Sequence, residues 1–381
     1  MNAACAISMS MAQRLRAAGA ALAFVLTFVL VSTAARAFDP RSIDRIRSDG
    51  FESATPTPMP LVSRNRPAFA SAGNAAAVND GEYYGGATWD VVPGDATPAW
   101  VAIHVGAGPA RAMLNWVAYP GSNLPTSYRI ETSANSTNGA DGNWATAVTV
   151  VDNGVDARAH PFAFAGQQWV RFVVTRAQDV GQAISIDEID VQDASTGNAD
   201  SWMFVGDSIT AAAFHRGLFE GNFPERVHAV SPAFFPLMIG AGVGGTSTVD
   251  GVAHIDEWLA IHPHFQNWVI SYGTNDSSNE DPQFAPAFGE RLRFIVATLQ
   301  AAGKTVFVPR IPYKTGGEAY LAPYNAEVDA VVAEYGLGAA PDLYAWFLAH
   351  PDQLYDGVHP NDAGSRSMNQ LWADAVRPLY P

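Results

Sequence analysis

Apolar and polar residues alternate in six short runs between about residues 67 and 195. Clusters of Gly, Asn, Asp and Pro, such as those at 120–123 and 138–143, separate the runs. A two-residue period with closely spaced turn residues is typical of half-buried β-strands. The pattern therefore predicts an antiparallel β-sandwich of the jelly-roll kind. The six runs lie at 100–105, 112–119, 127–132, 147–151, 168–175 and 183–191.

The pattern changes near residue 200, where short continuous apolar runs alternate with segments of helical period. The runs lie at 202–206, 268–273 and 305–309, and the helical segments at 253–260, 287–301 and 326–335. This alternation predicts βαβ units and a parallel sheet, so the fold class is a β-sandwich followed by an α/β domain. In such sheets, functional residues lie at the carboxyl ends of the strands.

The first 37 residues have the pattern of a secretory signal peptide. Arg14 and Arg16 precede an uncharged apolar run at 17–31, and the sequence Ala-Arg-Ala at 35–37 fits a cleavage site. A membrane span needs about 20 residues, so this shorter run predicts no stable membrane anchor. We expect a secreted or periplasmic protein in which the proline-rich segment 38–66 is a linker or leader.

Composition excludes several classes of protein. The chain has 381 residues, of which 48% are hydrophobic and 15% are charged, as in globular domains. Its formal net charge of −15 disfavours nucleic acid as a partner. The single cysteine, Cys5, lies in the predicted signal peptide, which excludes a disulfide framework, a zinc ribbon and a cysteine nucleophile. We expect two domains in the mature chain, at 67–197 and 198–381.

Four polar blocks of the second domain have a recognisable order. GDSIT at 206–210 follows a predicted strand, as does GTND at 273–276, and GVGGTS at 242–247 follows an apolar stretch. DGVHP stands at 356–360. These blocks resemble those of the GDSL or SGNH hydrolases, a family of esterases and lipases, over roughly residues 201–381. No G-x-S-x-G motif of the other α/β-hydrolases is present.

The chemistry of these blocks can be argued from the residues themselves. A serine hydroxyl is a weak nucleophile unless a base accepts its proton. Ser208 lies in a strand-to-helix turn, and His359 is the candidate base. Asp356 precedes His359 by three residues, so one turn brings its carboxylate to the imidazole Nδ1. An N-cap role for Ser208 is the ordinary alternative, and the family order of the blocks favours catalysis.

The family resemblance implies an oxyanion hole. Its donors would be the backbone N–H groups of Ser208 and Gly245 and the side-chain amide of Asn275, with Gly242 and Gly244 as alternatives to Gly245. Asn275 could instead be only a turn residue. We expect the two aspartates that neighbour these residues, Asp207 and Asp276, to hydrogen-bond the turns rather than react.

The other histidines have weaker functional signals. His254, His262 and His264 lie close together, but their spacing matches no standard zinc helix, and we expect exposed or capping roles. His215 follows the nucleophile closely and is a candidate for lining the site. The chemistry requires no cofactor and no catalytic metal.

The first domain resembles a discoidin-like, galactose-binding-like module. Members of that family bind glycans, and many hold a structural calcium ion. The resemblance suggests Asp80 and Glu188 as calcium ligands, and we expect Trp144 and Trp169 in the core. The segments that carry the resemblance are WVAIHVG at 100–106, YRIETS at 128–133, WVRFVV at 169–174 and IDEIDV at 186–191.

The sequence thus predicts a secreted serine esterase that forms an acyl-enzyme and removes acetyl groups from O-acetylated carbohydrate. A lipase, phospholipase or thioesterase for longer acyl chains is one alternative. A catalytically inactive glycan-binding or adhesion protein is another. Acyl length, the alcohol and the oligomeric state are left open by the sequence.

Overall fold

A computed structural model describes residues 56–83, 86–94, 96–214 and 221–381. The predicted signal peptide and the first part of the predicted linker lie outside the described residues. The predicted fold class is confirmed, because two antiparallel sheets precede an α/β part with a parallel sheet. Within the described ranges, no helix is both long and apolar enough to cross a membrane.

In the described residues, nine strands form the N-terminal sandwich. One sheet has the order β1-β3-β8-β5-β6 and the other β2-β9-β4-β7, with antiparallel pairing throughout. The strands are β1 Ala68–Ala70, β2 Trp89–Val91, β3 Ala99–His104, β4 Arg111–Ala118, β5 Pro125–Ser133, β6 Ala145–Val150, β7 Ala157–Ala163, β8 Trp169–Ala177 and β9 Ile184–Asp193.

Every second residue of the strands points inward, and these inward-facing side chains form the core of the sandwich. Trp116 of one sheet packs edge-on against Tyr128 of the other, with ring centroids 5.4 Å apart, and Phe172 packs against both rings. All three side chains are almost completely buried. Alternation in the sequence therefore sorts the residues into a core face and an outer face, as expected for paired sheets.

The described part of the predicted linker, residues 56–66, lies against the sandwich. The Val62 N–H donates to Val191 O at 2.8 Å, and the Asp193 N–H donates to Pro60 O at 2.9 Å. Met59 is fully buried. Proline cannot donate a backbone hydrogen bond, but its carbonyl can accept one. This proline-rich segment therefore pairs with the C-terminal part of β9.

The part of the α/β unit that the structure describes contains four parallel strands with the order β11-β10-β12-β13. The strand order reverses at β10, and residues that follow β10, β11 and β12 therefore meet at one edge of the sheet. The strands are β10 Ser201–Gly206, β11 Leu237–Gly242, β12 Asn267–Ser271 and β13 Thr305–Phe307. The helices are α1 Ser208–Phe214, α2 Phe223–Val230, α3 Thr248–Ile261, α4 Ala285–Ala301, α5 Glu318–Tyr335, α6 Leu343–Ala349 and α7 Asp362–Val376.

Helices cover both faces of the parallel sheet. Alternate residues of β10 point to opposite faces: Met203 and Val205 join a cluster with α4 and α5, and Trp202 and Phe204 join one with α1, α2 and α7. This explains why the strand is apolar at nearly every position.

The sandwich and the α/β part share apolar contacts. The cluster around Val205 also contains Met113 and Val117 of the sandwich and Met59 of the segment before it, all buried. The outer face of one sandwich sheet is therefore covered by the α/β part, and the two parts are in contact through core-like packing.

Candidate active site

Three side chains from two distant segments form a hydrogen-bonded chain. The Ser208 Oγ lies 2.8 Å from His359 Nε2, and His359 Nδ1 lies 2.8 Å from Asp356 Oδ2. Because an ionised carboxylate only accepts hydrogen bonds, Nδ1 carries the proton and Nε2 is free to accept one from the serine. The arrangement can therefore move the serine proton to a base that is oriented by an acid.

A short hairpin at 354–360 positions both Asp356 and His359. Leu354 pairs with Pro360 in an antiparallel bridge, and the Tyr355 N–H donates to His359 O at 3.0 Å. Within the hairpin, Asp356 Oδ1 accepts the backbone N–H groups of the residues two and three positions later, at 3.0 and 2.8 Å. Both carboxylate oxygens of Asp356 therefore accept hydrogen bonds, Oδ1 from the backbone and Oδ2 from the imidazole.

The hydrogen bonds keep Asp356 ionised. Burial alone would raise the pKa of this carboxyl group, but hydrogen bonds from the backbone and imidazole of His359 and from the Val358 N–H outweigh burial. The pKa of Asp356 therefore lies below its ordinary value. A carboxylate in this state can stabilise an imidazolium ion at His359.

Ser208 lies where β10 meets α1, and close packing of the backbone requires glycine beside it. A Cβ at Gly206 would lie 2.5 Å from the carbonyl oxygen of Ser271 on the neighbouring strand. Asp207 fixes the turn, because its Oδ1 accepts the Ile209 N–H at 2.9 Å. Burial raises the pKa of Asp207 to about 6, against the opposing effect of that hydrogen bond and of His359.

The oxyanion candidates lie on the neighbouring loops. Asn275 follows β12, and its Nδ2 donates to Thr246 O at 2.8 Å, which leaves the second amide hydrogen for a substrate. A Cβ built at Gly244 would lie 3.9 Å from the Ser208 Cβ, whereas a Cβ at Gly245 would have no neighbour within 4 Å. The built Cβ of Gly244 therefore lies nearer to the Ser208 side chain than that of Gly245.

A polar cluster that sequence reasoning missed holds these two loops together. Asp276 accepts hydrogen bonds from the Thr248 hydroxyl and from its N–H, the latter at 3.1 Å. Arg291 of α4 donates to Thr248 Oγ1 at 2.8 Å and to Asp276 at 3.2 Å. Asp276 therefore forms hydrogen bonds with the neighbouring loop, as expected. Its partners lie 28 and 15 residues away, so sequence contained no signal for them.

Some of the residues near the nucleophile are exposed. Ser208 is half-buried, whereas Gly244 and Gly245 are exposed and Val243 is 57% exposed. Tyr355, beside His359, is 63% exposed. These described residues near the nucleophile therefore lie at the surface.

Two of the remaining histidines have their own partners outside this site. His254 is exposed and contacts Glu257 at 3.1 Å, and the buried His262 is the C-cap of α3, as the expected roles require. Burial, with a smaller effect of Arg158, lowers the pKa of His262 to about 4. His215 lies outside the described residues. Among the residues that the structure describes, no group of three or more His, Cys, Asp or Glu could hold a metal ion.

The suggested calcium ligands face other partners. Glu188 is buried, accepts the Gly81 N–H at 3.1 Å and lies 3.9 Å from the Arg64 guanidinium. Asp80 accepts the Glu82 N–H of its own turn. Because the guanidinium supplies positive charge next to Glu188, the residues in the described ranges do not fit a calcium ion there.

The two tryptophans expected in the sandwich core differ in position. Trp169 is buried, but Trp144, directly before β6, is only half-buried. The Arg171 guanidinium lies 4.0 Å from the centre of the Trp144 ring. The expectation for Trp144 is therefore wrong, because a cation–π contact rather than core packing holds it.

Residues 204–366 match the GDSL-like lipase/acylhydrolase family. This part of the chain is therefore a GDSL-like lipase/acylhydrolase domain, and it contains the serine, the asparagine, the aspartate and the histidine of the site. No curated protein matches the chain.

Several solved structures resemble parts of the chain. Axe2, an acetylxylan esterase from Geobacillus stearothermophilus, is 21% identical over 47% of this chain and 93% of its own, with a TM-score of 0.39. A lipase/acylhydrolase from Enterococcus faecalis is 22% identical over 47% and 95%, with a TM-score of 0.40. Chitosan-binding module 1 of a chitosanase/glucanase from Paenibacillus sp. IK-5 is 25% identical over 34% and 97%, with a TM-score of 0.29.

Proposed function

We propose that this protein is a secreted serine esterase that removes acetyl groups from O-acetylated carbohydrate. The observation that carries the proposal is the hydrogen-bonded chain from Ser208 through His359 to Asp356, in a GDSL-like domain. An inactive binding protein would have no need for such a chain. We therefore favour catalysis over adhesion.

In the proposed mechanism, the Ser208 oxygen attacks the ester carbonyl carbon while His359 Nε2 accepts the hydroxyl proton. The tetrahedral intermediate collapses as the same proton passes to the leaving alcohol, and the C–O bond of the ester breaks. Water then attacks the acyl-enzyme with His359 as base, which releases the acid and restores the serine. Asp356 stabilises the imidazolium in both steps.

The proposed oxyanion donors are the Ser208 N–H, the Gly245 N–H and the Asn275 side-chain amide. Gly244 is the alternative to Gly245, in view of its closer approach to Ser208. Donors that are already oriented stabilise charge that develops only in the transition state, so they act on kcat.

Two features support a carbohydrate substrate. The exposed surroundings of Ser208 suit an acetyl group carried on a bulky polymer, since such a substrate cannot enter a deep cavity. The sandwich that precedes the esterase domain would, as a glycan-binding module, raise the local concentration of polymer. This second point is an analogy of domain arrangement.

The test is a series of p-nitrophenyl esters from acetate to palmitate, followed by measurement of acetate released from acetylated polysaccharides. We expect the highest kcat/KM for acetate, and acetate release that Ser208→Ala abolishes. A maximum at long chains would favour the lipase alternative. A folded protein that hydrolyses none of the esters would favour the adhesion alternative.

Secretion is a separate part of the proposal, and its support is the pattern of residues 1–37. Expression in a bacterial host followed by fractionation and N-terminal sequencing tests it. We expect the mature protein outside the cytoplasm and beginning at Phe38. An uncleaved chain in the cytoplasmic fraction would contradict this part of the proposal.

A further inference from the structure

Tyr355 lies directly beside the imidazole of His359. The two rings are nearly parallel, with an interplanar angle of 19° and centroids 5.6 Å apart. The backbone hydrogen bond between the same two residues, 3.0 Å long, fixes the pair across the 354–360 hairpin. The position of this aromatic ring relative to the proposed base is therefore defined by the backbone.

The ring is exposed although it is large and partly apolar. Its 63% exposure is among the highest of the large hydrophobic side chains described. Covering an exposed aromatic ring with an apolar surface lowers the free energy, because it removes the ring from water. The hairpin itself does not require the ring, because its hydrogen bonds come from the backbone and from Asp356.

The chemistry of ester hydrolysis specifies what would meet this ring. In the acylation step, His359 Nε2 gives its proton to the oxygen of the leaving alcohol, so the alcohol part of the ester must lie against the imidazole. The acyl part lies on the side of the oxyanion donors. Because the Tyr355 ring lies beside the imidazole and nearly parallel to it, we expect the alcohol beyond its oxygen to contact this ring.

We propose that Tyr355 forms the subsite for the leaving alcohol and selects esters in which that alcohol is a pyranose. One face of a pyranose presents several C–H groups and can stack on an aromatic ring, while its hydroxyl groups stay in water. This inference rests on the proposed esterase function and adds the residue that recognises the sugar.

The experiment compares two acetates that share the acyl group and differ in the alcohol. Methyl acetyl-xylopyranoside has a pyranose as its alcohol, and ethyl acetate has a small alkyl group. For Tyr355→Ala, we expect kcat/KM for the sugar acetate to fall by about tenfold, mainly through KM, and a much smaller loss for ethyl acetate. Tyr355→Phe keeps the ring and should restore most of the activity on the sugar acetate.

Two controls accompany this comparison. Tyr119→Ala removes a tyrosine that is 43% exposed in the sandwich, far from the site in sequence. Inhibition by methyl xylopyranoside, the product alcohol, measures binding without chemistry and should weaken about tenfold in Tyr355→Ala. A circular dichroism spectrum shows whether each variant is folded, and Tyr355→Leu is the second variant if Tyr355→Ala is unstable.

The result that would overturn the inference is an equal loss on both acetates. In that case the ring would only orient His359, and inhibition by the sugar would be unchanged. Failure of the esterase proposal has a different signature, because the unmodified protein would then hydrolyse neither acetate.

Discussion

Ser208 Oγ and His359 Nε2 lie 2.8 Å apart although the two residues are 151 positions apart in the chain. Helix α7, which follows the histidine, is bonded directly to α1, which begins at the serine. Asn369 Nδ2 donates to Ala213 O at 2.9 Å, and Ser365 Oγ donates to Ala212 O at 3.3 Å. The contact between serine and histidine therefore depends on the buried polar contacts between these two helices.

Ser208→Ala should lower the rate of ester hydrolysis by about a thousandfold or more, because the nucleophile and the acyl-enzyme are both lost. The measurement is kcat on p-nitrophenyl acetate. Ser122→Ala, in a turn of the sandwich, serves as the matched control. A folded Ser208→Ala protein with nearly normal activity would show that the nucleophile is assigned wrongly.

Asn275→Ala should lower kcat by about a hundredfold to a thousandfold with little change in KM, because an oxyanion donor acts in the transition state. The substitution also removes the hydrogen bond to Thr246 O. Asn279→Ala, at an exposed position of the same loop, controls for changes in loop packing. An effect confined to KM would instead make Asn275 a substrate-binding residue.

Asp200 should make the stability of the protein depend on pH. Its buried Oδ1 accepts the Tyr380 hydroxyl at 2.7 Å and the Trp202 Nε1–H at 3.1 Å. Burial raises the pKa of Asp200 from 3.8 to about 7, and these hydrogen bonds oppose the shift only in part. Because the folded state binds the proton more tightly, the contribution to stability is full below pH 3.8 and is lost as pH rises through about 7.

Asp200→Asn removes this titration while it keeps the oxygen acceptor. Urea unfolding at pH 4 should give similar stabilities for the variant and the unmodified protein. At pH 8 the variant should be more stable, by up to about 4 kcal/mol. Asp352→Asn, at the surface, is the control for loss of one carboxylate. Equal differences at both pH values would contradict a raised pKa.

Exhaustive chelation with EDTA should leave ester hydrolysis and the melting temperature unchanged. The proposed chemistry uses a serine, and the Arg64 guanidinium supplies the positive charge beside Glu188. Activity on p-nitrophenyl acetate and a thermal scan before and after dialysis are the measurements. A drop in melting temperature without loss of activity would support a structural calcium ion in the sandwich, since a metal ion that binds the native state stabilises that state.

The apolar contact between the two parts should make them unfold together. Calorimetry should show a single transition, because separating the parts would expose Met113 and Val117 to water. Met113→Lys buries a charge there and should destabilise the whole protein by about 3 kcal/mol or more. Val180→Lys, at a position 75% exposed, is the control. Two separate transitions would show that the parts are independent.

The strands of the parallel sheet differ in how well sequence predicts them. The runs at 202–206, 268–273 and 305–309 overlap β10, β12 and β13, because buried parallel strands are continuously apolar. Strand β11 was not recognised as a strand, since Gly240 and Gly242 make it resemble a loop. A Cβ at Gly242 would lie 2.8 Å from Asp207 O, so packing against α1 requires that glycine.

Edge strands and helix starts were also difficult to predict. β1 and β2 have only three residues each, and β7 contains Pro161, which is tolerated because β7 is an edge strand. Helix α3 begins at Thr248, five residues before the predicted start at 253, because the polar capping box of Ser247 and Asp250 hides the apolar period.

The residues of the candidate site that lie in short sequence motifs were predictable from the sequence. The order of four blocks indicated Ser208, Asn275, Asp356 and His359, and their catalytic roles stay predictions. The groups that hold the loops were not predictable, because Arg291 reaches Asp276 only through the packing of α4.

The 354–360 hairpin has a consequence for inactivation. It carries both the proposed base and the carboxylate that orients it, and backbone bonds join its ends. Local opening of this one hairpin would therefore remove both groups from Ser208 in a single event, while the sheet and its core stay folded. On heating, each molecule would then lose its activity completely when its hairpin opens, and this loss would precede global unfolding. The residual activity of a sample would be proportional to the fraction of molecules whose hairpin is still closed.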